Sequence, residues 1–261
     1  MRLLFLGDIV GKHGRQMVTD HLPLLRAELG LTAVLANAEN ASGGLGLSAK
    51  TAYDLHRAGL VALTTGNHVW KFSDLVPVLN AEPWILRPAN YPAPAPGRGL
   101  GIYDLGPEHP PLAVINLQGR AFMEPIDCPF ATVERLLTHV PKEAVCIVDM
   151  HAEATSEKRA LVHLLRGRVH AVLGTHTHIQ TSDACIIDNH TGYITDLGMC
   201  GPVDSCLGMD NAVILERFRT GRPQRFILAQ GPCALSGALL EIEQGQCRSI
   251  SAWTYTPNTL D

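Results

Sequence analysis

Short apolar runs alternate with amphipathic stretches through most of this 261-residue chain, and that alternation restricts it to a layered α/β fold. Residues 3–6 read as a strand. Residues 15–29 read as a helix whose apolar positions are Met17, Val18, Leu22, Leu25 and Leu29. The pattern continues with strands at 33–35, 60–63, 112–115, 144–148 and 170–173. Helices fall between them at 48–57 (with Ser48 as N-cap), 74–79, 130–140 and 156–165 (with Ser156 capping). Beyond residue 173 the pattern turns extended, at 184–187, 192–194 and a hairpin-like 238–254. Mixed sheets flanked by helices, in one domain spanning 1–261, are the expectation.

Composition narrows the function classes. A chain that is 46% hydrophobic and 18% charged can bury a large core, which excludes intrinsic disorder. A formal charge of −4, from 21 Lys+Arg against 25 Asp+Glu, argues against stable nucleic-acid binding through a basic surface. No apolar run is long enough to span a membrane, and Asp8 interrupts the N-terminal stretch too early for a signal-peptide core. Seven cysteines without a CxxC pair read as buried free thiols in a reducing cytoplasm. The Pro-rich stretch 91–97 reads as a stiff surface connection.

In open α/β sheets functional residues gather past the carboxyl ends of strands. That filter collects Gly7-Asp8, Asn37-Ala38-Glu39-Asn40, Gly66-Asn67-His68, Asp149-Met150-His151 and Gly174-Thr175-His176-Thr177-His178. One polar residue at a strand exit is ordinary turn chemistry, but five such clusters in the same structural position are not. Imidazole, carboxylate and amide oxygen suit Mn, Fe or Zn. His176 and His178 point the same way if extended, or toward two neighbouring metals if the chain turns tightly. Two metals clamp a phosphate and generate a hydroxide near neutral pH, and Glu39 is the choice for the carboxylate that bridges them. The ions supply the positive charge that an acidic chain otherwise lacks.

These residues resemble the ordered motifs of the calcineurin-like metallophosphoesterases. The segments GDIVGKHGR, NAENASGG, TTGNHVW, NLQGRAFM, MHAEATSEK and GTHTHIQT are similar to its YmdB-like branch over essentially the whole chain. The resemblance implies the sandwich fold of that superfamily and 2′,3′-cyclic-nucleotide 2′-phosphodiesterase activity. It also implies a small cyclic-nucleotide substrate and a two-metal centre, iron foremost, with Mn or Zn as alternatives. Carried over by position, it implies Asp8, Glu39, Asn40 and His178 around one metal, and Glu39, Asn67, His151 and His176 around the other. Two departures from the wider superfamily, Val10 where Asp-x-His has its imidazole and Glu39 where an Asp usually bridges, are shared by the YmdB-like branch.

His68 adjoins Asn67 and is not needed for either shell, so its ring is the candidate to protonate the departing sugar oxygen. Val69 stands where the wider superfamily carries an acidic neighbour. Gln118, Gly119 and Arg120 are further candidates for phosphate or ribose contact, and Glu153, Thr155, Ser156 and Lys158 for the mouth of the site. Asp149, Asp183, Asp196 and Asp204 are candidates to orient imidazoles, and His13 lies near Asp8 in sequence. A (β/α)8 amidohydrolase also uses His-x-His, but near its N-terminus, and here the pair comes late. The remaining rivals are a phosphomonoesterase or nucleotidase on the same fold, and a nucleotide-binding regulatory protein with little turnover. Homo-oligomer formation is compatible with the chain.

Overall fold

A computed structural model describes residues 1–257. Two six-stranded sheets organise them. The first sheet takes its strands from both ends of the chain: β1 (Arg2–Ile9), β2 (Ala33–Asn37), β3 (Ala62–Thr64), β10 (Met199–Pro202), β11 (Cys233–Glu243) and β12 (Gln246–Tyr255). Its order is β12-β11-β10-β1-β2-β3, with β11 also pairing antiparallel to β1 from Leu3 opposite Leu240 to Leu6 opposite Gly237. The second sheet takes the middle: β4 (Leu100–Tyr103), β5 (Leu112–Gln118), β6 (Val145–His151), β7 (Ala171–Thr175), β8 (Cys185–Ile187) and β9 (Thr191–Ile194), in the order β4-β5-β6-β7-β9-β8. Both sheets are mixed: β10, β1, β2 and β3 run parallel, with antiparallel β11 and β12 beyond them, and β5, β6, β7 and β9 run parallel between antiparallel edges β4 and β8.

The helices are α1 (Gly11–Glu28), α2 (Ala49–Arg57), α3 (Leu75–Ala81), α4 (Pro129–Leu137), α5 (Thr155–Leu165) and α6 (Asn211–Thr220). One apolar cluster unites α1 and the first sheet with the inner face of the second, and a smaller cluster joins that sheet's outer face to α4 and α5. The expected α/β class with two mixed, helix-flanked sheets is what the chain forms.

Several local expectations need correction. Helix α1 starts at Gly11, four residues before the apolar periodicity becomes regular, because Val10 leads into it without a side-chain cap. Ser48 does cap α2, accepting from the Thr51 amide. Ser156 does not cap α5: the helix already begins at Thr155 after Ala154. Of the seven free cysteines, only Cys146, Cys200 and Cys247 are buried. The Pro-rich connection is tied down from beneath, where the buried Arg87 guanidinium donates to the carbonyls of Pro88, Ala95 and Pro96.

Candidate metal centre

Period-two alternation decides which strand residues reach the seam between the sheets. Leu112 and Val114, Val145 and Ile147, and Ala171 and Leu173 face the shared core, while Ala113, Cys146 and Val172 face the α4–α5 layer. The same count carried to the strand ends brings Asn116, Gln118, Asp149, His151 and Thr175 to the inner face, all fully buried. Asp8 of β1 and Asn37 of β2 come to the same seam, followed by the turns bearing Glu39-Asn40 and Asn67-His68.

The seven residues proposed from sequence as ligands form one connected cluster. Glu39 Oε1 lies 3.2 Å from His151 Nε2 and accepts from Asn40 Nδ2 at 3.1 Å. His151 Nε2 stands 3.2 Å from Asn67 Oδ1 and 3.1 Å from His176 Nδ1. Asp8 Oδ1 is 3.7 Å from His178 Nε2 and 4.0 Å from His151 Nδ1, and Asn40 Nδ2 is 3.2 Å from His178 Nε2. Ligand atoms of Glu39, His151 and His176 all lie within 4.8 Å of one another. The approach is so close that a Cβ on Gly66 would stand 2.2 Å from the His151 ring and 2.4 Å from Glu39 Oε2, so this position accepts only glycine. His68 joins through Nδ1, 2.9 Å from Asn40 Oδ1 and 3.1 Å from Glu39 Oε1, with its side chain 23% exposed.

The imidazole nitrogens of His151, His176 and His178 turned away from the cluster each have a partner, which fixes ring orientation. His151 Nδ1 contacts Thr175 Oγ1 at 2.9 Å, and that hydroxyl donates to Asp149 Oδ1 at 2.7 Å. Asp149 is itself held across the seam by the Thr64 hydroxyl and the Asn37 amide, at 2.5 and 3.1 Å. His176 Nε2 faces Glu153 Oε2 at 3.1 Å, and His178 Nδ1 donates to the Leu207 carbonyl at 3.1 Å. Both His176 (φ +100°) and His178 (φ +65°) are left-handed, so the turn between them is tight rather than extended.

Asp196 holds that turn. Its Oδ2 accepts from the Thr177 amide at 3.1 Å and from Lys158 Nζ at 2.8 Å, and its Oδ1 accepts from the Gly198 amide. Lys158, expected at the mouth, is instead fully buried beneath the turn as the partner of a fully buried Asp196.

Electrostatics set these groups apart from the rest of the core. Burial raises the Asp8 carboxyl above its ordinary range, against the pull of His178 and His151. Burial also opposes ionisation of Glu39, but His151 and His68 outweigh it and hold that carboxyl well below the usual range. His151 loses by burial and gains more from Glu39 and Asp8, which lift it to about 9. His176 is pushed down to about 3 by burial and by His151. Among the described residues, the ion-pair partners of Asp8 and Glu39 are all histidines. Asp8 Oδ1 is buried without a hydrogen-bond partner. An orphaned carboxylate oxygen beside imidazole nitrogens is a donor set that a divalent transition-metal ion takes up.

Other candidates separate from the cluster. Gln118 is buried beside Tyr91, 3.4 Å from its hydroxyl. Arg120 is exposed, and its backbone amide, with that of Ala121, donates to the Glu157 carboxylate. Asp183 binds Thr181 and Thr195, Asp204 binds Asn211, and His13 lines a shallow groove with Gln16 and Cys233. The orienting carbonyl of Leu207 and the crosslinking hydroxyl of Thr64 went unread in the sequence. A backbone carbonyl leaves no residue-type signal, and a threonine in a strand is commonplace.

A family model described as YmdB-like protein matches residues 4–252. The chain is 44% identical over 251 residues to the 2′,3′-cyclic-nucleotide 2′-phosphodiesterase of Bacillus subtilis, covering 96% of this chain and 94% of that protein. Among solved structures, a hypothetical protein from Thermus thermophilus superposes with a TM-score of 0.93 at 40% identity, over 98% of this chain and 99% of the other. A phosphatase from Mycoplasma pneumoniae superposes with a TM-score of 0.91 at 30% identity, over 98% and 93% of the two chains.

Proposed function

The chain belongs to the YmdB-like protein family, and from that premise we propose that it hydrolyses 2′,3′-cyclic nucleotides at the 2′ bond to give 3′-nucleotides. The observation that carries the proposal is the single cluster linking Asp8, Glu39, Asn40, Asn67, His151, His176 and His178, with Glu39 at its centre. Asp8, Glu39, Asn40 and His178 would hold one metal ion, and Glu39, Asn67, His151 and His176 a second. Glu39, in contact with members of both sets, is the shared carboxylate. Iron is the proposed metal, with Mn or Zn as alternatives, and the free thiols suit a reducing cytoplasm. When bound, the ions polarise the phosphate and lower the pKa of the attacking water.

The chain's own groups do the rest. Asn40 directs Nδ2 toward Glu39 and His178 and Oδ1 toward His68, but oxygen ligation requires the opposite amide orientation, and the two differ by a half-turn of one side-chain torsion. His68 Nδ1 also faces Glu39 Oε1 at 3.1 Å, so a protonated ring would donate there through Nδ1–H and give its Nε2 proton to the departing ribose oxygen, returning to neutral imidazole. The Thr175–Asp149 pair holds His151, Glu153 holds His176, and the Leu207 carbonyl holds His178.

The test is metal analysis of the purified protein combined with turnover on a panel of 2′,3′-cyclic nucleotides, aryl phosphodiesters and phosphomonoesters. Two ions per chain and preferred turnover of the cyclic substrates to 3′-phosphates are expected. Faster hydrolysis of phosphomonoesters would make the protein a phosphatase, in line with its Mycoplasma pneumoniae relative. Binding without turnover would make it a nucleotide-binding regulator.

A further inference from the structure

Strand β5 ends beside the candidate centre and hands the chain to a loop, 119–127, whose two ends are tied together. Gln118 lies opposite His151 in register, and the Gly119 amide donates to the His151 carbonyl at 2.9 Å. At the other end the Asp127 amide donates to the Asn90 carbonyl at 3.0 Å. Asn90 Nδ2 donates to the carbonyls of both Gln118 and Asp127, at 2.8 and 2.9 Å, so one side chain closes the loop at its root.

Within the loop the chain turns tightly, with the Met123 amide donating to the Arg120 carbonyl at 3.2 Å. Glu157, in the first turn of α5, holds this turn by accepting from the Arg120 amide at 3.1 Å and the Ala121 amide at 3.0 Å. Phe122 takes its third position at φ +61°, a left-handed place that turns normally give to glycine. Its ring is nonetheless 93% exposed, more than any other large apolar side chain among the described residues. Nothing inside the fold offsets either the backbone strain or the exposure, and strain held in place in this way collects at ligand sites.

Position chooses the ligand. Phe122 is three residues past Gly119, a reach of about 10 Å at most. Gly119 packs so closely on the strand exit of β6 that a Cβ there would stand 2.7 Å from the Ala152 side chain. Glu153, the next residue, contacts His176 Nε2. The Asn90 end of the loop adjoins Tyr91, whose ring meets Trp70, two residues past His68, edge-on at 5.3 Å. The loop therefore borders the centre between Glu153 and Trp70. A cyclic nucleotide with its phosphate at the centre carries its base outward across the ribose, and an exposed phenyl ring is a stacking surface for that base. Arg120, also exposed, adds a planar cation that stacks on or donates to the same group. The other exposed neighbours, Glu124 and Pro125, make this a single aromatic on a polar loop and not part of a wider apolar patch.

We infer that the loop 119–127 is the nucleobase platform of this site and that the base stacks on Phe122. The inference rests on the cyclic-nucleotide reading of the centre and adds a preference to it. Substrates that carry a base are favoured over base-free cyclic phosphodiesters, with little discrimination among bases, because every base has a π-face.

Steady-state kinetics on 2′,3′-cyclic AMP and on glycerol 1,2-cyclic phosphate, the same five-membered diester without a base, test the inference. Phe122→Ala should lower the ratio of the two kcat/KM values about 5–150-fold, the size of one base stacked on one ring, chiefly through KM for the nucleotide. Phe122→Gly relaxes the turn but also lacks the ring, so it should lose as much, whereas Phe122→Trp should hold the ratio near that of the wild type. An unchanged ratio in Phe122→Ala, with 2′,3′-cyclic AMP still cleaved by the wild type, would overturn the platform and leave the phosphodiesterase reading standing. Recovery in Phe122→Gly would overturn it too, as would a loss that instead follows Ile179→Ala, exposed just past His178. A wild type that cleaves neither diester would overturn the phosphodiesterase reading. Equilibrium dialysis of adenosine 3′-phosphate then reads the platform without chemistry: weaker binding by Phe122→Ala supports it, and equal binding refutes it.

Discussion

Replacing Lys158 with methionine should destabilise this protein far more than a single methylene-rich exchange suggests. The amine lies 2.8 Å from Asp196 Oδ2 and both side chains are fully buried. Methionine keeps the volume of the stem but leaves the carboxylate with only the Thr177 and Gly198 amides as donors. Removing one partner of a buried ion pair costs about 3–5 kcal/mol, because the other charge stays out of water uncompensated. For a chain of this size each kcal/mol moves Tm by roughly 2–4 °C, so the variant should melt about 6–20 °C lower. Function should fall too, because the Asp196–Thr177 bond sits between two left-handed histidines that relax once it loosens.

Urea unfolding at neutral pH measures the loss. The double variant Lys158→Met, Asp196→Asn should regain a large part of it, because the amide keeps an acceptor for Thr177 without a charge to bury. A single variant within about 1 kcal/mol of wild type would refute the reasoning, as would a double variant no more stable than the single.

Three further outcomes are expected. His68→Ala should retain both metals but lose about 10²–10⁴-fold in turnover of cyclic nucleotides, with a much smaller loss on nitrophenyl esters, whose leaving group departs unprotonated; equal losses on both substrates would return His68 to a positioning role. Glu39→Ala should deplete both metal positions together in elemental analysis, and one ion retained at unchanged affinity would show that the carboxylate is not shared. His170, pushed down to about 4 by burial and by neighbouring His190, takes up its proton later than the same residue in the unfolded chain, so stability should fall as pH drops from about 6.5 toward 4. His170→Gln should flatten that slope in pH-dependent urea titrations, and an unchanged slope would assign the acid sensitivity to other groups.

The candidate site was legible where side-chain type and strand position coincide. Asp8, His151 and the 174–178 segment each end a strand whose apolar run is plain in the sequence. Three elements were not legible, for physical reasons. Strand β10 is Met-Cys-Gly-Pro, a poor strand sequence that forms because β1 offers it a parallel edge and β11 an antiparallel one. Strand β4 is a four-residue edge whose aliphatic Ile102 faces solvent while Gly101 and Tyr103 form the buried face, so no apolar run marks it. Helix α6 shows no amphipathic period because so little of it packs on its own chain. Lys158 was misplaced because nothing local distinguishes a surface lysine from one whose partner lies 38 residues away.

The pairing of β1 with β11 has a consequence during synthesis. Leu3 finds Leu240, its antiparallel neighbour, only after 237 further residues have been added. At about 5–20 residues per second that interval is roughly 12–47 s. Throughout it, β1 can pair with β2 on one side while the edge of Leu-Leu-Phe-Leu awaiting β11 stays open. An apolar edge of that kind is a template for aggregation. Asp8 lies on this strand too, so the strand that carries it keeps an unpaired edge until β11 has been made.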